Sequence, residues 1–413
     1  MEDIQKSMSP FYPGQPVPVE LFVGRASQIE RILTRGVGQV AAGKPISIYV
    51  QGEYGIGKSS LARFIQWIAE KEHALHGISV TVGGARNLDD LATAILEATI
   101  RSGALDPKIS EKFKSWLAKY IDGVTLFGFK VNTKALKNDA PSFSTPFGML
   151  SFLSELREHL KDTGIKGIFL ILDEINGITA DPQFSHFIKG LVDANALSKE
   201  PIPLLLMLCG VEERRREMIQ RHQPIERIFD VVEITPLNEQ EMQEFFKRAF
   251  ESVQMTVESE AMWLLTHYSA GFPKIMHLIG DTAYWIDKDN IIDNFDASIA
   301  VITSADDVGK KYVDQQVYGA LQSADYLSIL DKIGMISPNN MKFKKDEVAS
   351  DLTETERKKF NNFLQKMVKL KVFRKGDIRG EYIFNNRMVR LYIWLKNPSL
   401  PKLWAKVDLS NSK

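Results

Sequence analysis

The amino-acid sequence predicts an α/β domain with a parallel sheet, then a bundle of helices, then a winged helix-turn-helix. In residues 1–235, short apolar segments that suit buried strands alternate with segments of helical periodicity. In residues 236–300 the periodicity is helical only. Residues 323–395 follow the order helix, short helix, helix and hairpin, which is typical of winged domains. A length of 413 residues agrees with two or three domains, because one compact core rarely grows that large.

The elements of the α/β domain are separated by turns and by changes of hydrophobic period. Residues 10–19 are interrupted by prolines, which predicts an extended segment. Strands are expected over residues 46–50, 78–82, 168–172, 203–208 and 228–234. Helices are expected over residues 26–35, 88–100, 109–120 and 147–161. Residues 124–137 alternate apolar and small side chains, as a hairpin or an exposed loop would. Strands separated by helices predict a doubly wound parallel sheet.

The second half of the chain is expected to hold the helical bundle and the winged domain. The bundle is interrupted at residues 271–273, and a helix or linker spans 305–321. The winged domain is expected to contain helices over 326–333, 345–352 and 353–370 and a hairpin over 372–384. Thr353 and Glu356 have the spacing of a capping box at the start of the third helix. The predicted domains are an extended segment 1–20, a core 21–235, a helical lid 236–304, a linker helix 305–322, a winged helix domain 323–396 and a tail 397–413.

The composition is that of an ordinary soluble globular protein and excludes several classes. The formal net charge is zero, so attraction to nucleic acid or membranes must be local. Cys209 is the one cysteine, so no internal disulfide can form, and its apolar neighbours predict a buried small side chain. No segment approaches the roughly 20 apolar residues of a membrane span. The N-terminus lacks the apolar core of a signal peptide. We therefore expect a cytoplasmic protein without membrane contact.

A phosphate-binding loop follows the first predicted strand. The loop pattern G-x-x-x-x-G-K-[ST] is matched by Gly52, Glu53, Tyr54, Gly55, Ile56, Gly57, Lys58 and Ser59, with Ser60 next in the chain. Glycines let the backbone wrap around phosphates, and the following helix adds its positive end. Lys58 is expected to reach the β- and γ-phosphates, and the Ser59 hydroxyl to ligate Mg²⁺.

An acidic pair follows the apolar strand at 168–172. We expect Asp173 to hold Mg²⁺ through water and Glu174 to polarise the attacking water. An Asp that merely caps a helix at a strand–helix turn is the alternative. An extra strand between the loop strand and this acidic strand, which residues 203–208 would supply, defines the additional-strand class of P-loop ATPases. The tip of that strand, Cys209-Gly210, carries no Asn, Thr or Ser that senses the γ-phosphate.

Several basic residues have two interpretations. Arg227 precedes the fifth strand, where an arginine can reach a neighbouring subunit's γ-phosphate; alternatively it is a surface residue paired with Glu226 or Asp230. Arg221 is the second candidate for that role. The run 214–216 is expected to be a solvated helix face. Lys274, after Gly271-Phe272-Pro273, either contacts nucleotide phosphates or lies in water at a helix start.

Together these motifs resemble AAA+ and STAND-type P-loop ATPases, particularly the archaeal initiator-like, origin-recognition-like group, over residues 10–395. The resemblance implies that four residues line the base side of the nucleotide: Phe22, Val23, Gly24 and Arg25. The segment 271–274 resembles the Gly-x-Pro lid motif of that group, with Pro273 and Lys274 near the nucleotide and Lys where Arg is more usual. Arg227 matches the Arg before the last core strand. The resemblance implies an ATPase that uses ATP/ADP and Mg²⁺, with slow turnover because the sensor tip and Lys274 depart from the pattern.

The predicted winged domain is basic although the chain is neutral overall. Residues 323–395 contain 15 Lys/Arg and nine Asp/Glu. The candidates for phosphate contact, within 342–379, are Lys342, Lys344, Lys345, Arg357, Lys358, Lys359, Arg374, Lys375 and Arg379. We expect them on the second helix, the start of the recognition helix and the wing, where winged folds touch DNA. A solvated face or a protein-docking module is the alternative.

Two functions from different classes agree with these features. In the first, ATP binding closes the lid, subunits form a homo-oligomer, and the assembly acts on DNA or on a DNA-bound partner. In the second, the chain is a STAND-like signalling or defence ATPase whose winged domain binds protein. Phe127 and Phe129 in the 124–137 hairpin either contact a substrate or partner or pack in the core.

Overall fold

The described residues form two compact units. The computed structural model describes residues 6, 8–15, 18, 22–103, 125–126, 129–130 and 144–397. One unit lies within Pro16–Thr235, and the other combines residues of Met1–Gln15 with residues of Pro236–Lys413. None of the helices in the described ranges has the length and apolar character that crossing a bilayer requires.

The first unit is built on a five-stranded parallel sheet. Its strands, in chain order and with a short hairpin after the second, are β1 (Ile46–Gln51), β2 (Leu75–Thr81), β3 (Thr125–Leu126), β4 (Phe129–Lys130), β5 (Gly167–Asp173), β6 (Leu204–Gly210) and β7 (Asp230–Glu233). The sheet order is β2-β5-β6-β1-β7, with all pairs parallel. Since β6 lies between the loop strand β1 and the acidic strand β5, the prediction of an additional-strand sheet is confirmed.

Helices cover this sheet and bury its apolar strands. They are α1 (Ala26–Ile32), α2 (Gly38–Ala41), α3 (Lys58–Glu72), α4 (Leu88–Gly103), α5 (Pro146–Lys161), α6 (Pro182–Ala196) and α7 (Glu212–Arg221). A π-helical segment, Leu33–Val37, joins α1 to α2, so the helix predicted over 26–35 continues further than expected. All seven residues of β6 are buried, as expected for a central strand with both faces covered.

Two predicted strands differ from the observed ones, and one helix cannot be compared. The strand expected at 78–82 begins at Leu75. The strand expected at 228–234 is shorter and corresponds to β7. Residues Gln223–Ile228 before it form a 3₁₀ helix, which has a proline in its first turn. The antiparallel pair β3–β4 agrees with the hairpin interpretation for residues 125–126 and 129–130, which are the residues of 124–137 that the structure describes. The helix expected at 109–120 and the side chains of Phe127 and Phe129 lie outside the described residues.

The second unit begins with four helices, as the helical periodicity predicts. They are α8 (Glu239–Glu251), α9 (Ser259–Ser269), α10 (Pro273–Ile286) and α11 (Asn294–Val308). The expectation of helices only was wrong, because the two-residue strands β8 (Thr256–Val257) and β9 (Ile291–Ile292) pair in parallel between them. Such short strands leave no periodicity in the sequence. A π-helical segment, Gly309–Tyr318, continues α11.

Part of the N-terminal segment packs in this unit. The Phe11 ring lies edge-on to the Phe250 ring, with centroids 4.9 Å apart. The Tyr12 N–H donates to His277 Nδ1 at 3.2 Å. Lys6 forms an almost fully buried ion pair with Asp287, with 2.9 Å between Nζ and Oδ2. These contacts anchor the described residues before position 16 on helices that lie more than 200 residues later in the chain.

The C-terminal block has the predicted order of helices and hairpin, with one strand more. Its elements are α12 (Ala324–Gly334), β10 (Lys342–Lys344), α13 (Lys345–Ala349), α14 (Glu354–Lys369), β11 (Phe373–Lys375), β12 (Glu381–Phe384) and α15 (Arg387–Leu395). The strands form an antiparallel sheet in the order β10-β12-β11. The capping box is confirmed, since the Glu356 N–H donates to Thr353 Oγ1 and Glu356 Oε2 accepts from the Thr353 N–H. The placement of Lys342 and Lys344 on the second helix was wrong, because both lie on β10.

Candidate nucleotide-binding site

The phosphate loop connects β1 to α3 through a backbone that two glycines make possible. Gly55 has a φ of 76° and Gly57 a φ of 97°, a region that residues with a Cβ rarely adopt. Gly57 caps α3, and Lys58 is the first residue of that helix. Ser59 and Ser60 are half-buried in its first turn, and the Tyr54 side chain within the loop is exposed. The loop therefore presents backbone N–H groups and a helix N-terminus at one end of the sheet.

The Lys58 ammonium lies within the loop. Its Nζ donates to the carbonyl oxygens of Gly52 at 2.9 Å and Glu53 at 2.8 Å. Burial lowers the pKa of Lys58, while nearby acidic groups oppose that shift, among them the carboxylates of Asp173 and Glu174. The Gly52 N–H donates to the Gly210 carbonyl oxygen at 3.3 Å and the Ile175 N–H to the Cys209 carbonyl oxygen at 3.4 Å, so the loop and the acidic pair meet at the end of β6.

The acidic pair lies where β5 ends. Asp173 is half-buried, and its Oδ1 accepts the Glu174 N–H at 2.9 Å. Glu174 has a left-handed backbone with a φ of 57°, which costs a non-glycine residue about 1–2 kcal/mol. The Glu174 side chain is exposed and lies beside Gly83, where a Cβ would stand 2.7 Å from Glu174 Oε2. Strain of this kind is often found at functional sites.

The oxygen atoms of Ser59 and Asp173 suit a magnesium ion. Hydroxyl and carboxylate oxygens are hard ligands, and Mg²⁺ usually takes one or two protein ligands together with substrate phosphates and water. In the part of the chain that the structure describes, no group of three or more His, Cys, Asp or Glu side chains could hold a metal ion. The Ser59 hydroxyl and the Asp173 carboxylate fit a magnesium ion that also binds phosphate oxygens and water.

The four residues expected on the base side of the nucleotide differ in their burial and in their contacts. The Phe22 ring stacks on the Phe64 ring of α3, with centroids 4.7 Å apart. Val23 and Gly24 are half-buried. Arg25 is 5% exposed, and its guanidinium donates to the carbonyl oxygens of Ile56 and Thr235, each at 2.7 Å. Arg25 therefore binds the protein backbone beside the loop.

The three arginines at 214–216 in α7 do not all form the solvated helix face that the sequence predicted. The Arg215 Nε donates at 3.0 Å to Oε1 of Gln51, the residue before the loop. Arg214 is held by Glu217 at 2.8 Å. Arg216 alone fits the predicted solvated face, where it pairs with Glu212. Sequence reasoning missed the link between Arg215 and Gln51, because no local pattern connects residues that lie 164 positions apart.

The arginines proposed to act between subunits are on the surface. Arg227 is exposed in the 3₁₀ helix before β7, and Arg221 is exposed at the end of α7. The carboxylate of Asp230 is occupied by the guanidinium of Arg31. Asp230 thus has Arg31 as a partner, and the exposed position of Arg227 agrees both with the surface interpretation and with a role between subunits, which stays a prediction.

Cys209, Pro273 and Lys274 lie in different elements of the fold. Cys209 is fully buried at the end of β6, and burial raises the pKa of its thiol well above the usual value, so the prediction of a buried small side chain is confirmed. Pro273 is the first residue of α10 in the second unit, and Lys274 next to it is exposed.

Known proteins resemble this chain in sequence over one domain and in fold over most of its length. Residues 21–207 match the family model described as an AAA ATPase domain. No protein with a curated description matches the sequence. A Walker-type ATPase of Pyrococcus abyssi has a TM-score of 0.52 and 16% identity, over 90% of this chain and 96% of that one. The ORC2 protein of Aeropyrum pernix, solved in ADPNP–ADP complexes, has a TM-score of 0.53 and 13% identity, over 94% and 95%. At these identities the structural similarity establishes the fold.

Proposed function

We propose that the protein binds and hydrolyses ATP and acts as a nucleotide-controlled switch on DNA or on a DNA-bound partner. The observation that carries this proposal is the common site of Lys58, Asp173 and Glu174 at the carboxyl ends of β1 and β5. The match of residues 21–207 to an AAA ATPase domain supports it. The nucleotide complexes of the Aeropyrum pernix ORC2 protein, which has a similar fold, support it further.

Each residue of the site has a distinct proposed role. The loop N–H groups and Lys58 hold the phosphates, and Ser59 with Asp173 would hold Mg²⁺. The metal, when bound, neutralises charge on the β- and γ-phosphates. Glu174 accepts a proton from a water molecule while the oxygen of that water bonds to the γ-phosphorus. The bond from that phosphorus to the bridging oxygen breaks, which gives ADP and phosphate. Phe22, Val23, Gly24 and the backbone of Arg25 are proposed to line the base side of the nucleotide. Turnover is proposed to be slow, because Cys209-Gly210 supplies no sensor amide or hydroxyl.

The domain division belongs to the same proposal. The core 21–235 binds the nucleotide, and the lid 236–304 closes over it with Pro273 and Lys274 near the phosphates. ATP-bound subunits associate into a homo-oligomer, in which Arg227 reaches the neighbouring γ-phosphate. The exposed position of Arg227 supports this role, since a trans-acting arginine must be accessible.

The C-terminal block is proposed to be a winged helix domain that contacts DNA phosphates. Three of its nine candidate cations are exposed on or beside the β11–β12 hairpin, namely Arg374, Lys375 and Arg379. On the sheet, Lys342 and Arg374 both lie opposite Ile383, which places them on the same face. Lys342 also pairs with Glu381, at 3.9 Å. On α14, Lys358 pairs with Glu354 and Lys359 with Asp325. The hairpin and sheet face, more than α14, are therefore proposed to carry the phosphate contacts.

A Glu174→Gln substitution tests the hydrolytic part of the proposal. The amide keeps the shape of the side chain but cannot accept a proton, so nucleotide affinity should stay within about twofold while phosphate release falls about 10²–10⁴-fold. Affinity is measured by calorimetry and phosphate release by a coupled assay. Ordinary turnover in this variant would refute the role of Glu174.

Salt titration of duplex binding tests the DNA part. Replacing Arg374 and Lys375 together with alanine should reduce the slope of log K against log salt by about 0.9 for each lost contact. Lys358→Ala is the matched control, since its ammonium is already paired. If ATP drives assembly without DNA, and duplex affinity is absent or insensitive to salt, the STAND-like alternative in which this domain binds protein is the better account.

A further inference from the structure

The chain passes from the first unit to the second at Thr235–Pro236, and the residues on either side are bonded within their own units. We call Ile234–Leu237 the crossing segment. In the first unit, the Ile234 N–H donates at 2.8 Å to the carbonyl oxygen of Gln51, which immediately precedes the phosphate loop. The crossing segment therefore begins with a hydrogen bond to the base of the loop.

The loop itself also contacts Ile234. A Cβ on Gly52 would stand 2.9 Å from the Ile234 carbonyl oxygen and 2.9 Å from Ile56 Cγ2. Ile56 is 1% exposed, so its side chain is fixed in this contact. Only a glycine permits so close an approach at position 52, where the loop backbone packs against both Ile234 and the Ile56 side chain.

Arg25 makes the most specific link. One terminal nitrogen of its guanidinium donates to the Thr235 carbonyl oxygen and the other to the Ile56 carbonyl oxygen. Because the guanidinium is planar and rigid, it fixes the separation and orientation of these two carbonyl groups. Gly24 and Arg25 both have left-handed backbones, with φ of 76° and 64°, and this turn brings the Arg25 side chain into the buried position.

The second half of the crossing segment is bonded to Gly271, which lies just before α10, the helix that carries Lys274. The Leu237 N–H donates to the Gly271 carbonyl oxygen at 2.9 Å. Gly271 has a φ of 78°, and a Cβ there would stand 2.4 Å from the Leu237 carbonyl oxygen. Gly271 precedes Pro273, the first residue of α10, by two positions. An unbroken series of backbone contacts thus runs from the loop through the crossing segment to the start of α10.

We propose that Arg25 is a positioning residue that couples nucleotide binding at the phosphate loop to the crossing segment. This inference rests on the proposed function and extends it. Phosphates bound by the loop N–H groups restrain Ile56, the Arg25 guanidinium passes that restraint to Thr235, and the Leu237–Gly271 bond passes it to α10. By linkage, a restrained crossing segment strengthens nucleotide binding by the same factor.

Amide hydrogen exchange of Ile234 and Leu237 tests this coupling, since these N–H groups donate to the carbonyl oxygens of Gln51 and Gly271. The full chain is compared with and without saturating Mg²⁺–ADP, as wild type, Arg25→Lys and the matched control Arg31→Lys. Lysine keeps the charge but cannot span two carbonyl groups as a fork. We expect ADP to slow exchange about fivefold or more in the wild type and the control, and less than about twofold in Arg25→Lys.

The possible outcomes distinguish a failure of the coupling role of Arg25 from a failure of the proposed function. If Arg25→Lys binds ADP and shows the full slowing, or if the wild type binds ADP with no change in exchange, the coupling role is wrong and the proposed function stands. A loss of ADP affinity in Arg25→Lys beyond about 150-fold would mean that Arg25 contacts the nucleotide itself, which also overturns the positioning role. If the wild type binds no adenine nucleotide, the proposed function is wrong as well.

Discussion

Gly83 and Glu174 lie side by side where two neighbouring strands, β2 and β5, end, with 2.7 Å between Glu174 Oε2 and the point a Gly83 Cβ would occupy. Glycine at position 83 leaves the space into which the Glu174 carboxylate extends. The backbone of β5 is tied to this region as well, because the Val82 N–H donates to the Asp173 carbonyl oxygen at 2.7 Å. The position of the proposed water-orienting carboxylate therefore depends on a residue that follows another strand, β2.

A Gly83→Ala substitution should displace the Glu174 carboxylate without unfolding the core. The nearest atom is the end of a flexible side chain, so the chain can relax by moving that carboxylate. A displacement of about 1 Å in a reacting group can lower the rate about 10²-fold. We expect ATP turnover to fall about 10- to 100-fold with nucleotide affinity unchanged.

Gly84→Ala is the control for this substitution, because a Cβ at Gly84 meets no atom within 4 Å. Turnover of that variant should equal that of the wild type. Equal turnover of the Gly83→Ala and Gly84→Ala variants would show that Glu174 does not need its observed position.

Arg227 is predicted to complete the site of a neighbouring subunit. An Arg227→Ala variant should lose about 10³-fold or more in turnover, and mixing it with inactive Lys58→Ala subunits should restore part of the activity. Restoration is expected because a site with an intact Lys58 can then meet an intact Arg227. A mixture no more active than the mean of its components would count against action between subunits. Arg216→Ala, whose side chain pairs with Glu212, serves as a control with normal turnover.

His277 predicts a pH dependence of stability in the second unit. Burial lowers the pKa of His277 to about 4, so between pH 6.5 and 4 the unfolded chain takes up a proton that the folded protein does not. The stability that neutral His277 contributes is present above about pH 6.5 and is lost as the pH falls toward 4. Acidification from pH 7 to 5 should lower the free energy of unfolding by about 1–2 kcal/mol through this residue.

His277→Asn isolates that contribution. The Asn side-chain oxygen can accept the Tyr12 N–H, which His277 Nδ1 accepts at 3.2 Å in the wild type, but it does not titrate. Urea unfolding at pH 7 and pH 5 should therefore show a smaller pH effect in the variant. An equal pH effect in the wild type and the variant would disprove the assignment of this effect to His277. His76 and His267 cannot cause a difference between the two proteins, because both proteins contain them.

The sequence predicted the sheet and the phosphate loop well, because both depend on local patterns. The loop pattern occupies eight consecutive residues, and the buried strands β5 and β6 are continuous apolar runs. The position of β6 between β1 and β5 followed from the resemblance to additional-strand ATPases. Short elements were missed: β8, β9 and β10 have two or three residues each, too few for a period to appear.

The contacts that link distant segments could not be predicted. Arg25 reaches Ile56 and Thr235, which are 31 and 210 positions away, and no spacing rule connects them. The resemblance implied that Arg25 lines the base side of the nucleotide, which stays a prediction, but it gave no sign that the guanidinium binds these two carbonyl groups. The hydrogen bond between Arg215 and Gln51 was also missed, because a run of three arginines usually indicates a solvated helix face.

Isothermal calorimetry of Mg²⁺–ADP and Mg²⁺–ATP binding to the wild type and to Lys58→Ala tests the central claim most directly. Lys71→Ala, at the other end of α3, is the control. The account predicts saturable heat for the wild type and Lys71→Ala, and an affinity at least about 10- to 100-fold weaker when the Lys58 ammonium is removed. No binding of either nucleotide to the folded wild type, or equal binding by Lys58→Ala, would contradict it.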